Sequence, residues 1–267
     1  MPFVERNSVG QALGPQRGSY GPGMTGRLTG DAWHLTAAVT GEDVANAGDG
    51  DDILTWSTRA HWNPVKTDAL TVHLGGWAIY EDFPETLPTI SRNTYLAGHF
   101  NDLLRVPSGS LALPGSAAAY GLEAGVFAKG YWIYGEAGRR TLDGGAPNAA
   151  YRVDQDAWSL AAGWFLTGET PGYQAKTGTW SRTRVLSLVP GSGSGAWEFA
   201  ARYDSYDFTS SPTGGVATAL TLGLNWYWTS QLRFMLNAIA WDADQPTGTL
   251  SGNDSGQTYV LRSQMVF

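Results

Sequence analysis

The chain of 267 residues has no cysteine, which excludes disulfides and thiolate metal sites and leaves its redox compartment open. Lysine is almost missing, with 3 residues against 14 arginines. Charged residues amount to only 15%, well below the usual ~25% of a soluble domain. No stretch approaches the ~20 consecutive apolar residues of a transmembrane helix, so a helical membrane protein is excluded. The formal net charge is −7, and that acidity argues against nucleic acid as a partner. No GxSxG, Walker or HExxH pattern occurs, so neither a catalytic residue nor a cofactor is expected.

What the chain does have is glycine and aromatic residues, 35 Gly with 12 Trp and 12 Tyr, and apolar residues dispersed at every second position. Leu220, Leu222, Leu224, Trp226 and Trp228 share one face of a strand whose other face carries Thr221, Gly223, Asn225 and Tyr227. Trp197, Phe199, Ala201 and Tyr203 alternate with Glu198, Arg202 and Asp204. The chain ends in the same way: Tyr259, Leu261, Met265 and Phe267 lie opposite Val260, Arg262 and Gln264. Period two held over roughly 9–12 residues indicates strands long enough to cross a bilayer.

The alternation predicts thirteen strands, near 23–30, 33–41, 53–62, 69–80, 93–104, 119–129, 131–141, 157–166, 180–188, 196–207, 217–228, 231–241 and 257–267. An all-β fold follows, an antiparallel transmembrane β-barrel with lipid on the apolar side and water inside. A soluble all-β carbohydrate-binding protein and an outer-membrane β-barrel enzyme are the alternatives. The turn Thr229-Ser230 is tight and the Asp242–Gly256 link is long, as expected of a barrel with short turns at one end. The Lys129–Tyr131 link fits poorly, being short at the long-loop end. Bacterial barrels have even strand numbers, so an odd count predicts that strands are missing before the first. MPFVERNSVG has no basic start or apolar stretch, so the expectation is a mature or truncated chain. Residues 1–267 form one domain, with 1–22 expected as loop.

Four stretches taken together resemble a known family. They are Gly163-Trp164-Phe165-Leu166-Thr167-Gly168-Glu169, Gly195-Ala196-Trp197-Glu198 with Ala201-Arg202-Tyr203, Leu222-Gly223-Leu224-Asn225-Trp226-Tyr227, and the terminal Phe267. The chain is similar to the later part of the barrel of the phosphate-selective porin O and P family, and Phe3-Val4-Glu5-Arg6 is similar to a segment well inside it. The resemblance implies a sixteen-stranded homotrimeric porin in the Gram-negative outer membrane, in contact with membrane lipid and lipopolysaccharide. It also implies a lumen lined by basic residues that passes phosphate-like anions or small polar solutes.

With the apolar face toward lipid, Arg27, Arg59, Arg202, Arg233 and Arg262 point inward with Lys129 and Arg140, and Glu123, Glu136, Glu198 and Asp204 point the same way. Guanidinium groups there would attract anions. The competing reading pairs these charges across neighbouring strands, Arg202 above all. His34, His61 and His73 fall on inward faces of consecutive strands and could meet as a metal site. Without supporting Cys or carboxylate spacing, separate wall histidines are the better reading. Gly48-Asp49-Gly50-Asp51-Asp52 is read as an acidic surface loop rather than a calcium loop. Trp158, Trp164, Trp197, Trp226 and Trp228 are placed near strand ends as interfacial girdles.

Overall fold

A computed structural model describes residues 2–16, 21–42, 53–101, 104–247 and 251–266. Phe267 and the Gly48–Asp52 loop lie outside the described residues. The strands are β1 (Gly23–Thr29), β2 (Trp33–Thr40), β3 (Leu54–Lys66), β4 (Leu70–Asp82), β5 (Thr89–Tyr95), β6 (Arg105–Ala112), β7 (Pro114–Ala128), β8 (Tyr131–Ala146), β9 (Ala149–Phe165), β10 (Tyr173–Gln174), β11 (Thr179–Trp180), β12 (Ala196–Asp207), β13 (Val216–Tyr227), β14 (Leu232–Gln245) and β15 (Gly252–Met265). One short helix, α1 (Ser8–Ala12), precedes them, capped by the Asn7 side chain on the Gly10 amide.

Eleven strands form one antiparallel sheet in the order β1-β2-β3-β4-β7-β8-β9-β12-β13-β14-β15. The two smaller pairings, β5 with β6 and β10 with β11, stand apart from it. Among the described residues β1 and β15 each pair on one side only. The fold is all-β, as the alternation predicts, and eleven of the thirteen expected strands belong to the sheet.

The other two expected strands do not. Around 93–104 the chain forms a hairpin, β5 and β6, and adjacent Leu96 and Ala97 are both buried, which no strand of period two allows. Within 180–188 only Trp180 is in a strand; Val185 is buried while Leu186 and Leu188 are exposed. Removing 93–104 from the wall resolves the misfit of the link after β7. Lys129-Gly130 now falls at the same end as the tight turn after β13, with Gly130 supplying φ +82°.

One face of the sheet is apolar and open. Leu220, Leu222 and Leu224 are 44%, 42% and 38% exposed. Trp226 is half-buried because its ring lies against Trp197, Trp228 and Phe234 on the same outer surface. On β15, Tyr259, Leu261 and Met265 are exposed on that side, and Ser263 joins them. Aromatic stacking marks the tight-turn end, where Tyr131 lies parallel to Trp164 and Trp197 to Trp226. Trp56 and Tyr80 meet at the other end. Trp158 is the exception, since β9 begins at Ala149 rather than near 157 and places it at mid-strand beside Tyr203.

The opposite face is polar, and it is filled. Residues 2–16, the β5–β6 hairpin and the 166–195 link all pack onto it. Val4, Val9 and Leu13 join Leu96 and Val106 of the hairpin region against Tyr206, Met235 and Ile239 of the wall. Phe3 and Val185 pack with Phe127, Trp132, Phe165 and Tyr227. These are small apolar islands between hydrogen-bonded polar groups, so the inner surface holds its inserts by both means.

Candidate functional site: the inner face and its inserted segments

The wall binds residues 2–16 through backbone and side chain alike. Asn237 Oδ1 accepts from the Val4 amide at 2.9 Å, and Asp204 Oδ1 from the Ser8 amide at 2.8 Å. Asn225 Nδ2 donates to the Pro2 carbonyl, and Asn7 Nδ2 to Glu136 Oε2 at 2.8 Å. Backbone polar groups buried without partners would each be unfavourable by about 1–3 kcal/mol, so these wall residues are what permits an irregular segment here.

The seven cations expected on the inner face have different fates. Arg202 is saturated: Nε donates to Asp204 at 2.5 Å, the other nitrogens donate to the Glu5 and Arg6 carbonyls, and the guanidinium covers the Phe3 ring. Its partner Asp204 lies on the same strand, two residues on, and not on a neighbouring strand as expected. Glu198 accepts from Trp132, Asn225 and Tyr227. Arg59 meets Glu123 at 2.7 Å and donates to the Thr177 and Gly178 carbonyls. Arg233 donates twice to Gln264 Oε1, a neutral acceptor. Arg262 is exposed and reaches only the Val4 carbonyl, at 3.3 Å. Arg27 is exposed on β1, on the side opposite Met24 and Leu28. Lys129 lies in the β7–β8 turn, at the rim of the sheet. Arg140 is buried against Glu81 at 2.9 Å.

The carboxylates are therefore largely neutralised from within. Glu81, Glu123 and Asp204 each have an arginine, while Glu136 and Glu198 are held by neutral donors. Among the described residues, Arg6, Arg27, Arg233 and Arg262 form no ion pair with a carboxylate. A cavity of about 550 Å³ between the N-terminal segment and the β5–β6 hairpin is lined by Arg6, Arg92 and Arg262 along with Glu5 and His99. Arg92 and Arg6 were not singled out by alternation because both lie on inserted segments, outside the wall.

The histidines are not separate. His34 and His61 are hydrogen-bonded through their Nδ1 atoms, and the rings of His61 and His73 stack at 5.4 Å. This corrects the reading of unrelated wall positions: registers His34↔His61 and His61↔Gly75 bring three neighbouring strands into one row. The row holds the 166–195 link. His61 Nε2 meets the Ala175 carbonyl at 2.7 Å, and His73 Nδ1 meets the Tyr173 hydroxyl at 2.8 Å. Asn63 Nδ2 donates to the same hydroxyl at 2.7 Å. Burial raises the Tyr173 hydroxyl above its ordinary range, which keeps it protonated. Among the described residues no three His, Asp or Glu side chains are arranged to hold a metal ion.

A sheet this wide, apolar outside and polar inside, with its inner side filled by segments that carry arginines, has the layout of a porin wall. A family model described as phosphate-selective porin O and P matches residues 1–267. The chain belongs to that family. It is a family of channels rather than of enzymes, and membership implies an outer-membrane β-barrel. An uncharacterized protein of Caulobacter vibrioides is 27% identical over 285 residues, covering 98% of this chain and 54% of the relative. The chain thus spans about half the length of that relative.

Proposed function

We propose that the inner face of this porin chain borders a passage for small anions, phosphate-like ions among them, and for small polar solutes. The observation that carries the reading is the asymmetry of inner charge. Glu81, Glu123 and Asp204 are each paired to an arginine and Glu136 and Glu198 are held by neutral donors, whereas among the described residues Arg6, Arg27, Arg233 and Arg262 form no ion pair with a carboxylate. Fixed guanidinium groups beside a solvent-filled cavity raise the local concentration of anions, so a net acidic chain still presents a cationic path. The cavity of about 550 Å³ near Arg6, Arg92 and Arg262 serves as its vestibule.

Homotrimeric assembly, contact with lipopolysaccharide and the outer-membrane address of the mature protein belong to the same proposal. Solute flux tests it: proteoliposomes should take up radiolabelled phosphate faster than protein-free vesicles. Equal uptake by both would end the reading.

A further inference from the structure

The link between β9 and β12 starts and ends at the tight-turn end, yet Gly172–Trp180 crosses onto the inner face and rests on β3 and β4. Among the described residues, the polar contacts of this rest come from one patch of wall: Arg59, His61, Asn63 and His73. We propose that His34, His61 and His73, together with Arg59, form a proton-operated latch that holds this segment across the passage and lets it go on acidification. The latch rests on the passage reading for its consequence, although not for its existence.

Hydrogen-bond chemistry dictates the protonation state of the held form. A carbonyl oxygen can only accept, so His61 donates from Nε2 to Ala175. Its Nδ1 is then an acceptor, and His34 donates to it from Nδ1. His34 Nε2 is left with a lone pair, which faces Arg59 Nη1 at 3.5 Å. The Tyr173 oxygen accepts from Asn63 and lies 2.8 Å from His73 Nδ1. His34 and His61 are neutral in this arrangement.

A second proton has no good place on His34 or His61. On His34 it must sit at Nε2, against the Arg59 cation. On His61 it must sit at Nδ1, against the N–H of His34. The His73 ring lies stacked on His61. Glu123 on β7 is the one carboxylate touching the row, 3.5 Å from His73 Nε2, and it is already shared by Arg59 and the Tyr134 hydroxyl on β8. Glu136 on β8 is held by Asn7 and Trp77. Arg27 on β1 adds positive charge near β2, and Lys176 on the segment itself is exposed.

Once the segment leaves, water reaches the His34 and His61 rings, the Arg59 and Ala175 contacts are gone, and both rings accept protons as ordinary imidazoles do. The released form therefore binds protons more tightly than the held form. The hold is complete above the ordinary imidazole range of about 6.5 and is lost as pH falls below it.

The test uses a fluorophore on Lys176→Cys, a unique label because the chain has no cysteine. In proteoliposomes containing EDTA, lowering pH from neutral should reversibly shift its emission. The released fraction should rise about tenfold per pH unit for each linked proton. Tyr173→Phe, which removes the hydroxyl with its contacts to Asn63 and His73 and keeps the ring, should move the midpoint toward neutral pH. His34→Gln with His61→Gln should flatten the response. Emission that ignores pH overturns the latch, as does an unmoved midpoint in Tyr173→Phe or an unchanged titration in the double glutamine variant. Because emission is read without ion flow, a responsive segment in a non-conducting protein would support the latch and remove only the passage reading.

Discussion

Arg59 Nη2 lies 2.7 Å from Glu123 Oε1, although β4 runs between the strands that carry them. The contact is possible because Gly75 is the β4 residue that pairs with Glu123. A Cβ at Gly75 would come within 2.4 Å of that same carboxylate oxygen and 2.8 Å of its Cγ. One missing side chain thus joins a cation and an anion across a whole strand, and frees the guanidinium to grip Thr177 and Gly178.

Gly75→Ala should therefore break the pair without touching either charge. Overpacking of this kind destabilises by about 1–3 kcal/mol. Urea unfolding followed by tryptophan fluorescence in detergent should show the lower midpoint. An unchanged midpoint would mean that the carboxylate moves aside freely and that the ion pair contributes little.

Removing residues 2–16 should enlarge the passage. That segment occupies the inner face through Asn225, Asn237, Asp204 and Arg202, and its loss would return all four to water. Single-channel conductance in planar bilayers is expected to rise. A deletion variant that folds and conducts as before would show that this segment does not restrict flow.

The outer face makes a separate demand. Leu222→Arg puts a cation on the lipid side of a central strand and should destabilise the folded protein by roughly 2–4 kcal/mol. Thr25→Arg, on the inner side of β1, should be tolerated. Reversible unfolding from lipid vesicles would read the difference, and equal stability of the two variants would contradict the assignment of faces.

The wall was legible in the sequence because lipid and water impose opposite demands on alternate residues, and residues such as Leu220, Leu222 and Leu224 obey them without exception. What filled the wall was not. The Val4 amide is satisfied by Asn237, and no local pattern announces a partner 233 positions away. The 93–104 and 180–188 stretches have strand-like composition but are recruited to cover the inner face, where burial follows contact with the wall and not a period of two. The pairing of Arg202 follows the expectation in kind but not in place: its carboxylate is Asp204, two residues on in the same strand, and not a group on a neighbouring one. The histidine row was within reach, since His34, His61 and His73 were seen to share an inward face. Their meeting depended on register, which alternation alone does not fix.

The sign of ion preference tests the central claim most directly. In a KCl gradient across a planar bilayer, the reversal potential should report chloride as more permeant than potassium. Replacing Arg262 and Arg233 by alanine should move it toward zero while the protein remains folded. A potential of the opposite sign in the unaltered protein, or one that the double substitution leaves unmoved, would contradict the account.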